Sequence, residues 1–209
     1  MKAKKQPIIE DGITFDSNEE LYFYWWAKEL QKEGYIDTIE MQPKAFELSD
    51  KTVVQYTKPM KKTADKILDH TLVNEHVYTA DALIKWNEKA LGIFCFVFPP
   101  AVPHEKQTYR LFTCDSLLYS YFEVKPIFDQ NNMTRLVKIN IKWVLKDFGI
   151  LVNMFIPETI FNTYFTPQRF IFQTKAKGER KIKYKNIVML NEFLPNKNNE
   201  EKVTQTSLL

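Results

Sequence analysis

The chain has 209 residues, with 29 Lys and Arg against 26 Asp and Glu, a net charge of +3. A hydrophobic share of 44% and an aromatic share of 14% exclude a disordered polymer, and the length suits one domain with a real core. So small a net charge excludes a protein that holds nucleic acid by bulk basicity alone.

The two cysteines, Cys95 and Cys114, lack metal-ligand spacing and read as buried, reduced thiols. No apolar signal core follows Met1-Lys2-Ala3-Lys4-Lys5, and the longest apolar run, about Gly92 to Val102, is short and contains Pro99-Pro100. The expectation is a soluble, intracellular protein without a membrane partner.

Residues 1–14 read as a polar amino-terminal arm. Ser17-x-x-Glu20 is a capping box, predicting a helix from there to about Glu33, stopped by Gly34. Leu21, Trp25 and Leu30 share a face that Tyr22, Phe23 and Trp26 widen, as in a helix packed on more than one side. One or two strands are expected between Ile36 and Ser49, with Gln42-Pro43 at an edge or strand start. Asp50 to Asn74 is patternless and rich in lysine (Lys58, Lys61, Lys62, Lys66). It is expected to be a loop, or a short helix near Thr63 to His70, either solvated or touching a phosphate backbone. His70 and His76 are isolated and carry no assigned chemistry.

Glu75 to Trp86 reads as one strand, with Tyr78, Ala80, Ala82, Ile84 and Trp86 on one face and Thr79, Asp81, Leu83 and Lys85 on the other. Tyr121-Phe122-Glu123-Val124-Lys125 reads as a second strand, with Glu123 and Lys125 sharing a face and Val124 turned to the core. If the two strands lie side by side, two carboxylates and one ammonium converge at a sheet edge. Two carboxylates suit Mg²⁺ or Mn²⁺, and the lysine can orient or help deprotonate an attacking water, or offset charge in the transition state. The plain alternative is an exposed strand face with an ordinary ion pair.

Phe15-Asp16-Ser17-Asn18-Glu19-Glu20, Gly34-Tyr35-Ile36, Gln42-Pro43, Tyr78-Thr79-Ala80-Asp81 and Glu123-Val124-Lys125 occur in that order. The series resembles the PD-(D/E)xK nuclease superfamily, and within it the small phage endodeoxyribonucleases and endonuclease-I-like Holliday junction resolvases. The resemblance implies an α/β, restriction-endonuclease-like fold, a central mixed β-sheet flanked by helices, spanning residues 15–174. It implies a magnesium-dependent hydrolase of DNA. Asp81 and Glu123 would be metal ligands, Lys125 the catalytic lysine and Glu20 an extra acidic residue. The place of action would be the host cytoplasm or a virion. Branched DNA, and with it a homodimer, is the implied substrate setting.

Two features depart from that family pattern. The segment 87–116 lengthens a connection that is usually a short hairpin, and it reads as an extra strand at Ile93 to Phe98 plus a proline-rich excursion, a candidate partner surface. Pro126 stands where relatives commonly carry glycine, which favours an extended Lys125 and removes a backbone donor.

Beyond a polar turn at Asp129 to Asn132, a helix is expected from Thr134 to Phe148. Leu136, Ile139, Trp143 and Val144 would face inwards, with Lys138, Lys142 and Lys146 on one stripe, solvated or reaching phosphates. Ile150 to Ile156 reads as a buried strand, Pro157 to Tyr164 as a short helix and Phe170 to Thr174 as a last strand. The segment 175–209 opens with six basic residues and one acidic residue between Lys175 and Lys185, among them Lys181 and Lys183, with Tyr184 available to stack on bases. From Pro195 on the chain is polar, as in a tail. The sequence thus points first to an endonuclease. The alternatives are a nuclease-like fold reused as a structural or assembly protein of a phage particle, and a DNA-binding module that does not cut.

Overall fold

Ser17 takes an extended backbone and its Oγ accepts the N–H of Glu20, which starts helix α1 at Asn18–Lys32. Glu20 completes the box, accepting from the Ser17 hydroxyl and the Asp16 N–H. At the other end Gly34 adopts φ 69°, a left-handed stop that suits glycine. In this computed structural model, residues 8–61, 64–98, 111–127, 134–176 and 187–194 are described.

The architecture is mixed α/β. A four-stranded sheet runs in the order β12 (Asn153–Phe155), β11 (Tyr119–Val124), β8 (Ala82–Trp86), β3 (Ile36–Met41). Neighbours β11/β8 and β8/β3 are antiparallel, whereas β11 and β12 are parallel. A parallel pair needs a crossover, and helix α2 (Thr134–Phe148) lies in that connection.

Helix α1 packs on this sheet through rings. Phe23 meets Phe122 and Phe155 at centroid distances of 5.1 and 4.9 Å, and Trp26 stacks on Phe165 at 5.7 Å. Phe23, Trp26, Trp86, Phe122 and Phe155 have no exposed surface, and each such burial stabilises the fold by roughly 1.5–3 kcal/mol. Helices α3 (Pro157–Thr163) and α4 (Gln168–Ala176) pack against α1 and extend this core.

Several expectations need correction. Residues 8–15 are not a free arm: β1 (Ile8–Glu10) and β2 (Ile13–Phe15) form a hairpin whose Asp11-Gly12 turn has both φ positive, at 51° and 77°. Glu10 fixes that hairpin to the helical layer, accepting from Trp25 Nε1 and Arg169 Nη1, each at 2.7 Å. Phe170 to Thr174 lies inside α4, because Phe170 and Ile171 are both buried while Phe172 is 60% exposed, which a strand's alternation does not give.

The segment 50–74 is neither loop nor helix. It holds β5 (Thr52–Lys58) and β6 (Lys66–Val73), an antiparallel ribbon in which no residue is buried. The ribbon springs from a second pair, β4 (Phe46–Ser49) with β7 (His76–Tyr78). Phe46, Leu48, Tyr78, Ala80, Val144 and Val152 form a small second core where this pair meets α2. In α2 Asn140 and Val144 are buried, and Ile141 and the expected Trp143 pack half-buried against the same core. Leu136 and Ile139, expected inside, are 60% and 53% exposed. Asn140 is held by His76, whose Nε2 lies 2.9 Å from its Oδ1 and whose ring stacks on Trp143.

The insertion does not disturb the sheet. Cys95–Val97 (β9) pairs in parallel with Phe112–Cys114 (β10), and Phe94, Cys95, Phe112 and Cys114 are buried in the main core. These parts are core, not a partner surface; residues 99–110 lie outside the described residues. Both cysteines are buried and free, as expected. No helix among the described residues is long and apolar enough to cross a membrane.

Candidate functional site

Glu75 to Trp86 is not one strand. β7 ends at Tyr78 and β8 begins at Ala82, so Asp81 stands at the mouth of β8 rather than within it. The cause is visible in the hydrogen bonds. The backbone N–H of Val124, next in line for the β11/β8 ladder, donates instead to Asp81 Oδ2 at 2.6 Å. The Asp81 carbonyl is taken by the Gln42 N–H at 2.9 Å, and Gln42 has φ 53°. The side chain of Asp81 thus replaces a main-chain acceptor and is locked against β11 although 43 positions separate it from Val124.

On β11, Ser120, Phe122 and Val124 turn to the core, which leaves Glu123 and Lys125 on the other side. Lys125 Nζ lies 2.7 Å from Glu123 Oε1 and 3.6 Å from Asp81 Oδ2. Its backbone is pinned as well, its N–H donating to the Phe155 carbonyl on β12 at 3.0 Å. Proline at 126 leaves this bond intact because the lysine's own N–H makes it. Direct pairing of β8 with β11 makes Asp81 and Glu123 neighbours despite the long insertion between them.

Tyr78 completes the arrangement. Its hydroxyl donates to Glu123 Oε2 at 2.6 Å, so each oxygen of this buried carboxylate has a partner. In the sequence Tyr78 stands on an apolar strand face and opens the series Tyr78-Thr79-Ala80-Asp81, with no role of its own assigned. The one local hint is its position three residues before Asp81. Burial, the Glu123 charge and this bond push the Tyr78 hydroxyl pKa far above the ordinary tyrosine value.

The electrostatics are unbalanced. Burial first, then the Glu123 charge, push the Asp81 carboxyl up from 3.8 to about 7; Lys125 and the Val124 N–H oppose this, and Glu20 adds to it. Glu20 is therefore close enough to be felt at Asp81 while its own oxygens serve the capping box. For Lys125, burial disfavours the ammonium. The hydrogen bond to Glu123 and the two carboxylate charges outweigh that and hold its pKa above the ordinary lysine value.

This donor set fits a hard divalent cation. Two carboxylates, one at the mouth of β8 and one on β11, reach one ammonium, and burial together with the Glu123 charge makes Asp81 a carboxyl that ionises readily only with a cation beside it. Among the described residues no group of three His, Cys, Asp or Glu side chains is placed to hold a metal. A cation held by Asp81 and Glu123 would therefore draw its remaining ligands from water and substrate oxygens, as Mg²⁺ commonly does.

The other expected contact residues are not brought here. Lys138, Lys142 and Lys146 are exposed and lie across α2 from the buried Asn140 and Val144. Lys181 and Lys183 lie outside the described residues, as do residues 1–7 and 195–209. A cleft of about 680 Å³ runs between α1 and α4, lined by Trp25, Lys28, Arg169 and Phe172, and contains none of the carboxylate–lysine group. Compared with family models, curated proteins and solved structures, the chain matches none.

Proposed function

We propose that the chain is a metal-dependent endonuclease that hydrolyses phosphodiester bonds in DNA. The observation that carries this reading is the gathering of Asp81 and Glu123 around the Lys125 ammonium at the edge of adjacent strands. The mixed four-stranded sheet with α1 packed on it supports the finer assignment to a restriction-endonuclease-like fold.

Asp81 and Glu123 would hold Mg²⁺ or Mn²⁺, which supplies Lewis acidity toward a phosphate oxygen and lowers the pKa of bound water. Val124 N–H and Tyr78 hydroxyl fix the two carboxylates before any ligand arrives, a supporting shell that sets ligand direction. Lys125, held as an ammonium, acts on charge rather than as a base: it faces the phosphate and offsets negative charge that grows as the bond breaks. Glu20 adds negative charge on the helix side. The exposed lysines of α2 are not gathered at this edge and would act on a polyanion only through long-range attraction. Branched DNA and a homodimer remain part of the proposal, resting on the family resemblance.

The test is incubation of purified protein with supercoiled plasmid and a four-way junction in Mg²⁺, Mn²⁺ or EDTA, beside Lys125→Ala and Asp81→Asn. Metal-dependent cleavage that both variants lose supports the reading. Cleavage by Asp81→Asn at the wild-type rate rejects the assigned site. The second reading, an assembly component of a phage particle, is favoured by Leu136 and Ile139, exposed on α2 beside the lysines. A defined oligomer with no cleavage in any metal would support it.

A further inference from the structure

The ribbon β5/β6 has no structural work in the fold. None of its residues joins either core, and a two-stranded hairpin by itself is only marginally stable in water. Its register sorts its side chains onto two faces: Val54 opposite His70, Tyr56 opposite Leu68 and Lys58 opposite Lys66 on one, Gln55 opposite Asp69 and Thr57 opposite Ile67 on the other.

The first face carries no acidic residue. Tyr56 and His70 meet edge to face at 6.3 Å, and further out two lysines stand directly across the ladder from each other. Like charges in that position are destabilising unless an anion lies against them. The acidic residues of the ribbon lie elsewhere: Asp69 is on the opposite face, and Asp65 accepts the Met60 N–H at the end of the ribbon, where Lys61 is also exposed. Seven extended residues span roughly 23 Å, about the width of a nucleic-acid duplex. At its base the ribbon continues into β4 and β7, and β7 ends on Tyr78, the donor to Glu123.

We propose that β5/β6 is a nucleic-acid arm: its Lys58/Lys66 face grips the phosphates of a duplex, with Tyr56 and His70 packed on the backbone sugars or an unstacked base. The proposal deepens the nuclease reading and rests on it for the choice of DNA, but binding by the arm needs no cleavage. A second copy of the chain is the competing occupant, since Val53, Ile67, Leu72 and Val73 are exposed as well. The acid-free face and the facing lysines favour the polyanion.

The experiment is fluorescence polarisation of a labelled 30-base-pair duplex with the full chain in EDTA, over a series of salt concentrations. It compares wild type, Lys58→Gln/Lys66→Gln and the opposite-face variant Gln55→Ala, with the oligomeric state of each followed by light scattering. The double variant should bind about tenfold more weakly and lower the slope of log K against log salt by about 2, since each lost phosphate contact removes about 0.9. Gln55→Ala, on the opposite face of the ribbon, should bind as tightly as wild type. An unchanged affinity and slope in the double variant overturns the arm. So does wild-type protein that fails to bind duplex, or a dimer lost in the double variant while DNA binding is kept. Binding with the expected slope but no cleavage in Mg²⁺ or Mn²⁺ overturns the nuclease reading alone and leaves the arm standing.

Discussion

Tyr78 and Glu123 stand 45 positions apart in the chain and meet at 2.6 Å, the phenol donating to Oε2 while Lys125 occupies Oε1. The carboxylate is thereby fixed in direction before it meets any ligand. Tyr78→Phe keeps the ring that stacks on Phe46 and deletes only the donor. It should cost about 1.5–3 kcal/mol in urea unfolding, as for a buried hydrogen bond to a charged group. Mn²⁺ affinity by calorimetry should fall about 10-fold or more, the usual penalty for losing a partner of a metal ligand. Unchanged Mn²⁺ binding would remove Tyr78 from the site.

Asp81 has a pKa raised from 3.8 to about 7, so the folded protein holds a proton that the unfolded chain gives up over that interval. Stability of the metal-free protein should therefore fall as pH rises from about 4 to about 7 and level off above that. Divalent-metal affinity should rise across the same interval, because the cation needs the ionised carboxylate. Asp81→Asn keeps an acceptor for the Val124 N–H. It should flatten both profiles and raise stability at pH 8 by about 1–2 kcal/mol. Thermal unfolding across pH, with and without Mn²⁺, reads both effects.

Glu20 serves two masters, and a conservative change separates them. Glutamine also closes a capping box, so Glu20→Gln should leave stability within about 0.5 kcal/mol. Losing the charge should move the Asp81 titration to lower pH, since Glu20 is one of the charges raising it. A titration midpoint that does not move, followed by thermal unfolding across pH, would confine Glu20 to the helix cap. Ser17→Ala, by contrast, should cost about 1 kcal/mol through the cap.

Ser120 holds a different kind of position. Its hydroxyl accepts from the buried Trp86 Nε1 at 2.7 Å and donates to the Thr113 carbonyl at 2.5 Å, tying β8 to β10 through β11. Ser120→Ala strands the buried indole N–H, while the Thr113 carbonyl keeps its bond from Asn153 Nδ2, and should cost about 1–3 kcal/mol in urea unfolding. Because nothing in this chain of bonds reaches Asp81 or Glu123, cleavage per folded molecule should stay within about twofold of wild type.

What could be read in the residues was what depends on near neighbours. The helix after Ser17, its stop at Gly34 and the shared face of Glu123 and Lys125 all follow from spacings of two to four. The ribbon at 52–73 escaped because neither face is buried, so no alternation marks it. The hairpin at 8–15 has strands of three residues, too short for any period to register. Phe170 and Phe172 mimic alternation, and only the packing of Ile171 beside Phe170 reveals a helix. The Tyr78–Glu123 bond was out of reach for a simpler reason. Its partners are set by the register of strands far apart in sequence, which no local pattern carries.

The backbone bond from Lys125 to Phe155 has a consequence for the order in which the protein is made. On the ribosome, Asp81 and Glu123 emerge well before β12 does, yet β12 is the strand that flanks β11 on its open side and anchors the lysine. Until α2 and Phe155 have been synthesised, the lysine has no fixed place beside the two carboxylates. A partly made chain thus carries the two carboxylates without the ammonium fixed between them, and the last support of that cluster arrives only after the body that bears it.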